Sequence, residues 1–149
     1  MKRIVTTEFI SSLLVFLFGY TAISKLLSIN LFEAVLEQSP LISSGAAMLA
    51  WQIPLVELFI VLLLIFSATR KMGLWVSAIL LSFFTVYLCY MVMFTPQLPC
   101  SCGGVISSMS WKGHVLFNLF FIGVTVVGIR GLRFERIKRL KMVDHGLEV

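Results

Sequence analysis

Cys100 and Cys102 form the most chemically suggestive pair in this 149-residue chain. They stand in Pro96-Gln-Leu-Pro99-Cys100-Ser-Cys102-Gly103-Gly104. The prolines stiffen the approach, and the glycines open backbone angles closed to other residues. A disulfide between residues two apart closes a ring too small for ordinary disulfide geometry. Such a bond is strained, easily reduced and suited to thiol exchange. The attacking species is the thiolate, which nearby positive charge favours. Ser110 is a candidate N-cap for a helix whose positive end, with Lys112 and His114, supplies that charge. Spacing alone leaves three other readings open: a structural bridge, two free thiols, or Cu(I) held with Met91, Met93, Met109 and His114. Two thiolates and one His do not complete a zinc site, so no resident metal is expected.

Other polar residues lie inside long apolar runs, where they are expensive and become functional candidates. Glu57 and Lys25 carry opposite charge in two such runs and should pair, either to fix two helices or to move protons during thiol chemistry. His114, Asn118 and Thr125 share one helical face, and His114 is a candidate proton shuttle for the cysteines. Ser82, Thr85 and Cys89 form a small polar stripe expected to face neighbouring helices. Cys89 is then either a small core residue or a third thiol able to receive the loop disulfide. Gly113, Gly123 and Gly128 are expected to permit close helix approach.

The elements that must position these residues follow from composition. The chain is 59% hydrophobic and 13% charged, against roughly 45–50% and about 25% for a soluble domain. A water-soluble protein of this size has too little core to hide that much apolar surface, and disorder needs low hydrophobicity. An integral membrane protein remains. Four runs reach the roughly 20 residues a spanning helix needs: about 8–27, 46–68, 73–95 and 111–131. They are continuous rather than alternating, which excludes barrel strands. The expectation is an all-α, four-helix transmembrane bundle forming a single domain, with a basic tail over 132–149. Lys2 and Arg3 before the first run resemble a signal peptide, but Glu8 and the lack of a convincing small-residue cleavage site favour a retained helix.

Charge placement gives the orientation. The net charge is +5, and ten of the twelve basic residues, from Lys2 to Lys141, fall on one side of a four-span chain. The positive-inside rule then puts both termini in the cytoplasm of a bacterial inner membrane. The basic tail abuts a span and reads as an anchor touching lipid, not as a nucleic-acid site. Loops 28–45 and 96–110 face the periplasm, where disulfides persist. In the first loop, Asn30-x-x-Glu33 resembles a capping box. Leu31, Phe32, Val35 and Leu36 follow at helical spacing, and Ser39-Pro40 ends the segment. This predicts a short amphipathic helix on the membrane surface. Trp51, Trp75 and Trp111 fall near span ends as interface anchors.

Three segments together resemble the MauE/DoxX-like redox-associated membrane proteins of bacteria. One is Gly19 through Lys25-Leu26-Leu27 with Phe32-Glu33-x-x-Leu36. Another is Pro54-x-x-Glu57-Leu58, and the third is Cys100-x-Cys102-Gly103-Gly104 with Trp111 and Asn118. The resemblance implies a four-helix bundle with Cys100 and Cys102 as the redox pair. It implies a thioredoxin-like periplasmic partner or a cysteine-containing exported client, and its DoxX branch points to a membrane quinone as cofactor. With three cysteines, a relay through two internal disulfides would need a partner protein. The expected function is a thiol–disulfide oxidoreductase or relay subunit. The alternative is a non-catalytic small subunit or assembly factor of a larger membrane complex, with Cys100–Cys102 locking a loop.

Overall fold

The computed structural model describes residues 2–38, 42–94 and 111–146, with the side chains of 2–5, 92, 111–112 and 135–146 excepted. Four helices in it are long and apolar enough to cross a membrane. Helix α1 is Lys2–Leu27, α2 is Ile29–Glu37, and a 3-10 turn over Ser43–Gly45 leads into α3, Ala46–Ile65. Helix α4 is Arg70–Phe94 and α5 is Trp111–Gly146. Among the described residues there is no strand.

The long helices stand at the corners of a square. α1 packs on α3 and α5, and α4 packs on the same two, while the α1–α4 diagonal is sparse. Each buried face is a stripe at steps of three and four, which keeps residues on one side of a helix. Ile10, Leu14 and Phe18 come from α1, Ile60 and Leu64 from α3, Leu74 and Leu81 from α4, and Phe121 from α5. Phe9, Phe16 and Phe83 are as apolar as these and point outward, at 69%, 74% and 76% exposure. Lipid is as apolar as Leu, so apolarity does not decide which face turns inward. Several hydroxyl residues line the inward faces. Ser11, Ser77, Thr85 and Thr125 are all buried, and each hydroxyl donates to a carbonyl one turn back, at 2.7–2.9 Å.

The α3–α4 hairpin is closed locally. Phe66 adopts an extended conformation and stops α3 three residues before the expected end at 68. The Thr69 hydroxyl then donates to the Leu63 carbonyl at 2.9 Å, satisfying one of the carbonyls a helix end leaves free. α4 starts at Arg70, three residues before the predicted 73. Near the same end, Arg70 sits 3.6 Å from Glu8 of α1. α5 runs through Gly146, so the segment expected as a tail over 132–149 begins as a continuation of the helix.

The short helix forms in the expected segment but starts differently. Ser28 leaves helical geometry at φ −118° and ψ 38°, and no side chain caps the turn. Asn30 and Glu33 therefore lie inside α2, which corrects the capping-box expectation: the chain pivots at Ser28 with almost no break. Phe32 and Leu36 are buried against Ala46 and Ala50, the small residues that open α3. Leu31 stays outside at 58% exposure. Trp51 and Trp75 face outward as anchors should.

Glycine placement separates packing from accident. A Cβ on Gly128 would meet Ile10 at 3.1 Å and Leu74 at 3.5 Å, whereas Gly123 has nothing within 4 Å and is exposed. Gly123 thus does not serve the close approach expected of it, because it faces away from the bundle. Gly128→Val should destabilise the protein by about 1–3 kcal/mol. Gly123→Val should stay near wild type. Thermal unfolding of both in detergent checks the contrast, and equal losses would contradict this packing.

Candidate functional site

The site is built at the end of the bundle that carries α2. Lys25 lies in the last turn of α1, and Glu57 lies about three turns into α3. Their side chains meet: Lys25 Nζ donates to Glu57 Oε1 at 2.7 Å, with the residues 3% and 7% exposed. The ammonium also sits 5.8 Å from the centre of the Phe32 ring, a distance at which a cation is attracted to the π face. One buried charge therefore ties α1 to α3 and to α2. The sequence foresaw the ion pair but not Phe32, whose part depends on the pivot at Ser28.

Beside the pair is a cavity of about 240 Å³ to which all five helices contribute. Its wall is overwhelmingly apolar and includes Phe18, Phe84 and Phe117. Lys25, Glu57, His114 and Asn118 also line it. His114 is 5% exposed, and its ring lies 6.3 Å from that of Phe84. Asn118, one turn further, is 4% exposed. Thr125 continues the same buried face, as the periodicity predicts.

Two atoms here are buried without a hydrogen-bond partner among the described residues: Glu57 Oε2 and Asn118 Nδ2. The Thr21 hydroxyl approaches the Glu57 carboxylate, but it donates to the Phe18 carbonyl at 3.2 Å, and a hydroxyl has one proton to give. Sequence reasoning passed over Thr21 and Tyr87, which line the cavity too. Thr21 was findable, since it precedes Lys25 by one turn on α1.

The polar stripe on α4 is split. Thr85 is buried, but Ser82 and Cys89 are exposed, with Val86 and Met93 on the same outer side. This corrects the expectation that the stripe faces other helices. Residues seven apart on a helix differ by only about 20°, so Cys89 follows Ser82 outward while Thr85 sits at the seam. Cys89 is neither a core residue nor turned towards the cavity. Cys100 and Cys102 lie outside the described residues, as do their flanking prolines and glycines, Met109 and Ser110. The segment that holds them joins Phe94 of α4 to Trp111 of α5, three residues before His114.

Compared with family models, the chain matches that of the methylamine utilisation protein MauE over residues 2–131. The chain belongs to the MauE family. The match runs through all four spanning helices of this MauE-family protein, together with the cysteine segment, and ends where α5 turns basic. Comparison with curated proteins and with solved structures gave no match. The family places the protein among multi-pass membrane proteins, in agreement with its four spans. Lipid contact follows for the outward phenylalanines of the MauE-family bundle.

Proposed function

We propose that this protein is a thiol–disulfide relay subunit of the bacterial cytoplasmic membrane. Both termini face the cytoplasm, and Cys100 and Cys102 exchange disulfides at the periplasmic surface. The observation that carries the reading is a convergence. The Cys-x-Cys segment enters α5 three residues before His114, at the end of the bundle where Lys25, Glu57, His114 and Asn118 surround one cavity. A buried His three residues into the helix that follows the Cys-x-Cys segment is suited to accept and return thiol protons.

The exchange passes through a mixed disulfide. A thiolate of a thioredoxin-like partner or exported client attacks the Cys100–Cys102 bond and displaces one loop sulfur as thiolate. The client's second thiolate then breaks the mixed disulfide. The client leaves oxidised, the loop is left as a dithiol, and two protons pass from client sulfur to loop sulfur. In the reverse direction Cys102, nearer α5 and its positive end, is the attacking thiolate.

Trapping tests this. Cys100→Ala and Cys102→Ala leave single thiols that cannot resolve a mixed disulfide. At least one of them should accumulate a covalent adduct with a periplasmic protein, visible on non-reducing gels and reversed by dithiothreitol. Absence of any adduct, with disulfide formation in exported proteins undiminished in the double variant, would instead support a non-catalytic subunit with a locked loop.

A further inference from the structure

We propose that a groove beside α1 and α3, at the end of the bundle opposite α2, binds the zwitterionic headgroup of phosphatidylethanolamine, with its phosphate on Arg70 and its ammonium on Glu8. The proposal goes beyond the relay reading and does not rest on it. The groove holds about 490 Å³, within the range of about 300–1,000 Å³ usual for clefts that take small ligands. Arg70 opens α4 and Glu8 lies near the start of α1, so both charges stand where spanning segments meet the headgroup region. Further along, Val15 and Phe16 of α1 and Leu64 and Ile65 of α3 line the groove. Phe16 and Ile65 are more than half exposed, so the groove opens to lipid. Phe16 lies two turns past Glu8, about 12 Å along the helix, so a lipid headgroup on the charges lays its acyl chain on an apolar surface.

The charged atoms choose the headgroup. Arg70 Nη1 is 3.6 Å from Glu8 Oε1, which is an ion pair but too long for a hydrogen bond. Arg70 Nε is buried with no acceptor among the described residues. The guanidinium therefore has donors to give, in the planar fork that fits a phosphate. Two phosphate oxygens accept from that fork in charge-assisted hydrogen bonds. The Glu8 carboxylate accepts from the ammonium. In phosphatidylethanolamine a short ethylene link separates phosphate from ammonium, so one headgroup reaches two protein charges that stand side by side. The Ser12 hydroxyl, also in the groove, donates to the Glu8 carbonyl at 3.0 Å and keeps lone pairs to accept a second ammonium proton.

The same pair of charges disfavours other headgroups. Phosphatidylglycerol brings the phosphate without a cation, which leaves the Glu8 carboxylate against a second negative charge. Phosphatidylcholine brings a cation with no N–H to donate, and its methyl groups hold the carboxylate away. Lys71, the next residue, is exposed and does not line the groove; it attracts any anionic lipid without regard to headgroup shape. Arg70 thus supplies affinity for the phosphate, and Glu8 supplies the choice among lipids that carry one.

The test is native mass spectrometry of the full chain in detergent, delipidated and titrated with dioleoyl lipids of each headgroup. Phosphatidylethanolamine should bind about tenfold more tightly than phosphatidylglycerol, the effect of one charge-assisted contact. Glu8→Gln should erase that preference, and Lys71→Gln should keep it. Arg70→Gln should weaken phosphatidylethanolamine binding about tenfold. Ser12→Trp, which fills the groove from an exposed position, should abolish it. A phosphatidylethanolamine with a diazirine in its acyl chain should crosslink to Phe16 or Ile65. Equal binding of the two lipids by the unaltered chain, or an undiminished preference in Glu8→Gln, would overturn the proposal. Crosslinks confined to outward residues elsewhere, such as Phe83, would do the same. If Arg70→Gln does not fold, Glu8→Gln and Ser12→Trp decide it, since both change exposed positions.

Discussion

Lys25→Met should destabilise the protein by about 3–5 kcal/mol, the usual cost of stripping one partner from a buried ion pair. Glu57 is 7% exposed, and Lys25 donates to its Oε1 at 2.7 Å. Removing the ammonium leaves a carboxylate among Phe, Leu and Ile side chains with no compensating charge beside it. The double variant Lys25→Met with Glu57→Leu should recover most of the loss, because replacing both charges by apolar groups of similar size is often neutral or stabilising. Denaturant titration in detergent for wild type, both singles and the double gives the coupling directly. Single variants as stable as wild type would show that the pair does not hold α1 to α3. A stable double variant would also separate structure from function, since it keeps the fold while removing the carboxylate that lines the cavity.

The second large effect concerns the thiols. Replacing Cys100 or Cys102 by Ala should abolish disulfide transfer to exported proteins, because neither exchange step can finish with one sulfur. Cys89→Ala should leave transfer at wild-type rate. That contrast comes from the structure, which turns Cys89 outward with Val86 and Met93. The measurement is the oxidation rate of a periplasmic reporter disulfide in cells complemented with each variant. Loss of transfer in Cys89→Ala would mean that its sulfur is reached from outside the bundle, by a partner helix. It would move the relay off the loop.

Architecture was legible because it depends on sums. Four runs of about twenty apolar residues must span a membrane whichever way each helix is turned, and their backbone groups can be satisfied only within the helices. Lys25 and Glu57 were legible as a pair because isolated charges in such runs have few alternatives. The capping box on Asn30 was misread because Ser28 lets α1 pass into α2 with almost no break, so no free helix start exists for Asn30 to cap. The rotation of α4 was misread because Ser82, Thr85 and Cys89 sit within one-sixth of a turn of each other. A stripe that narrow does not say on which side the helix seam falls.

The residues by themselves therefore determined a four-span membrane protein, its charge asymmetry, a Cys-x-Cys loop and two intramembrane charges destined to meet. Only tertiary structure decided which faces turn inward and what they enclose. In lipid the outward and inward surfaces are equally apolar, so hydropathy carries almost no rotational information. Helix packing supplies it: it buries Glu57 and Asn118, leaves one atom of each unpartnered among the described residues, and puts both on the wall of the same cavity.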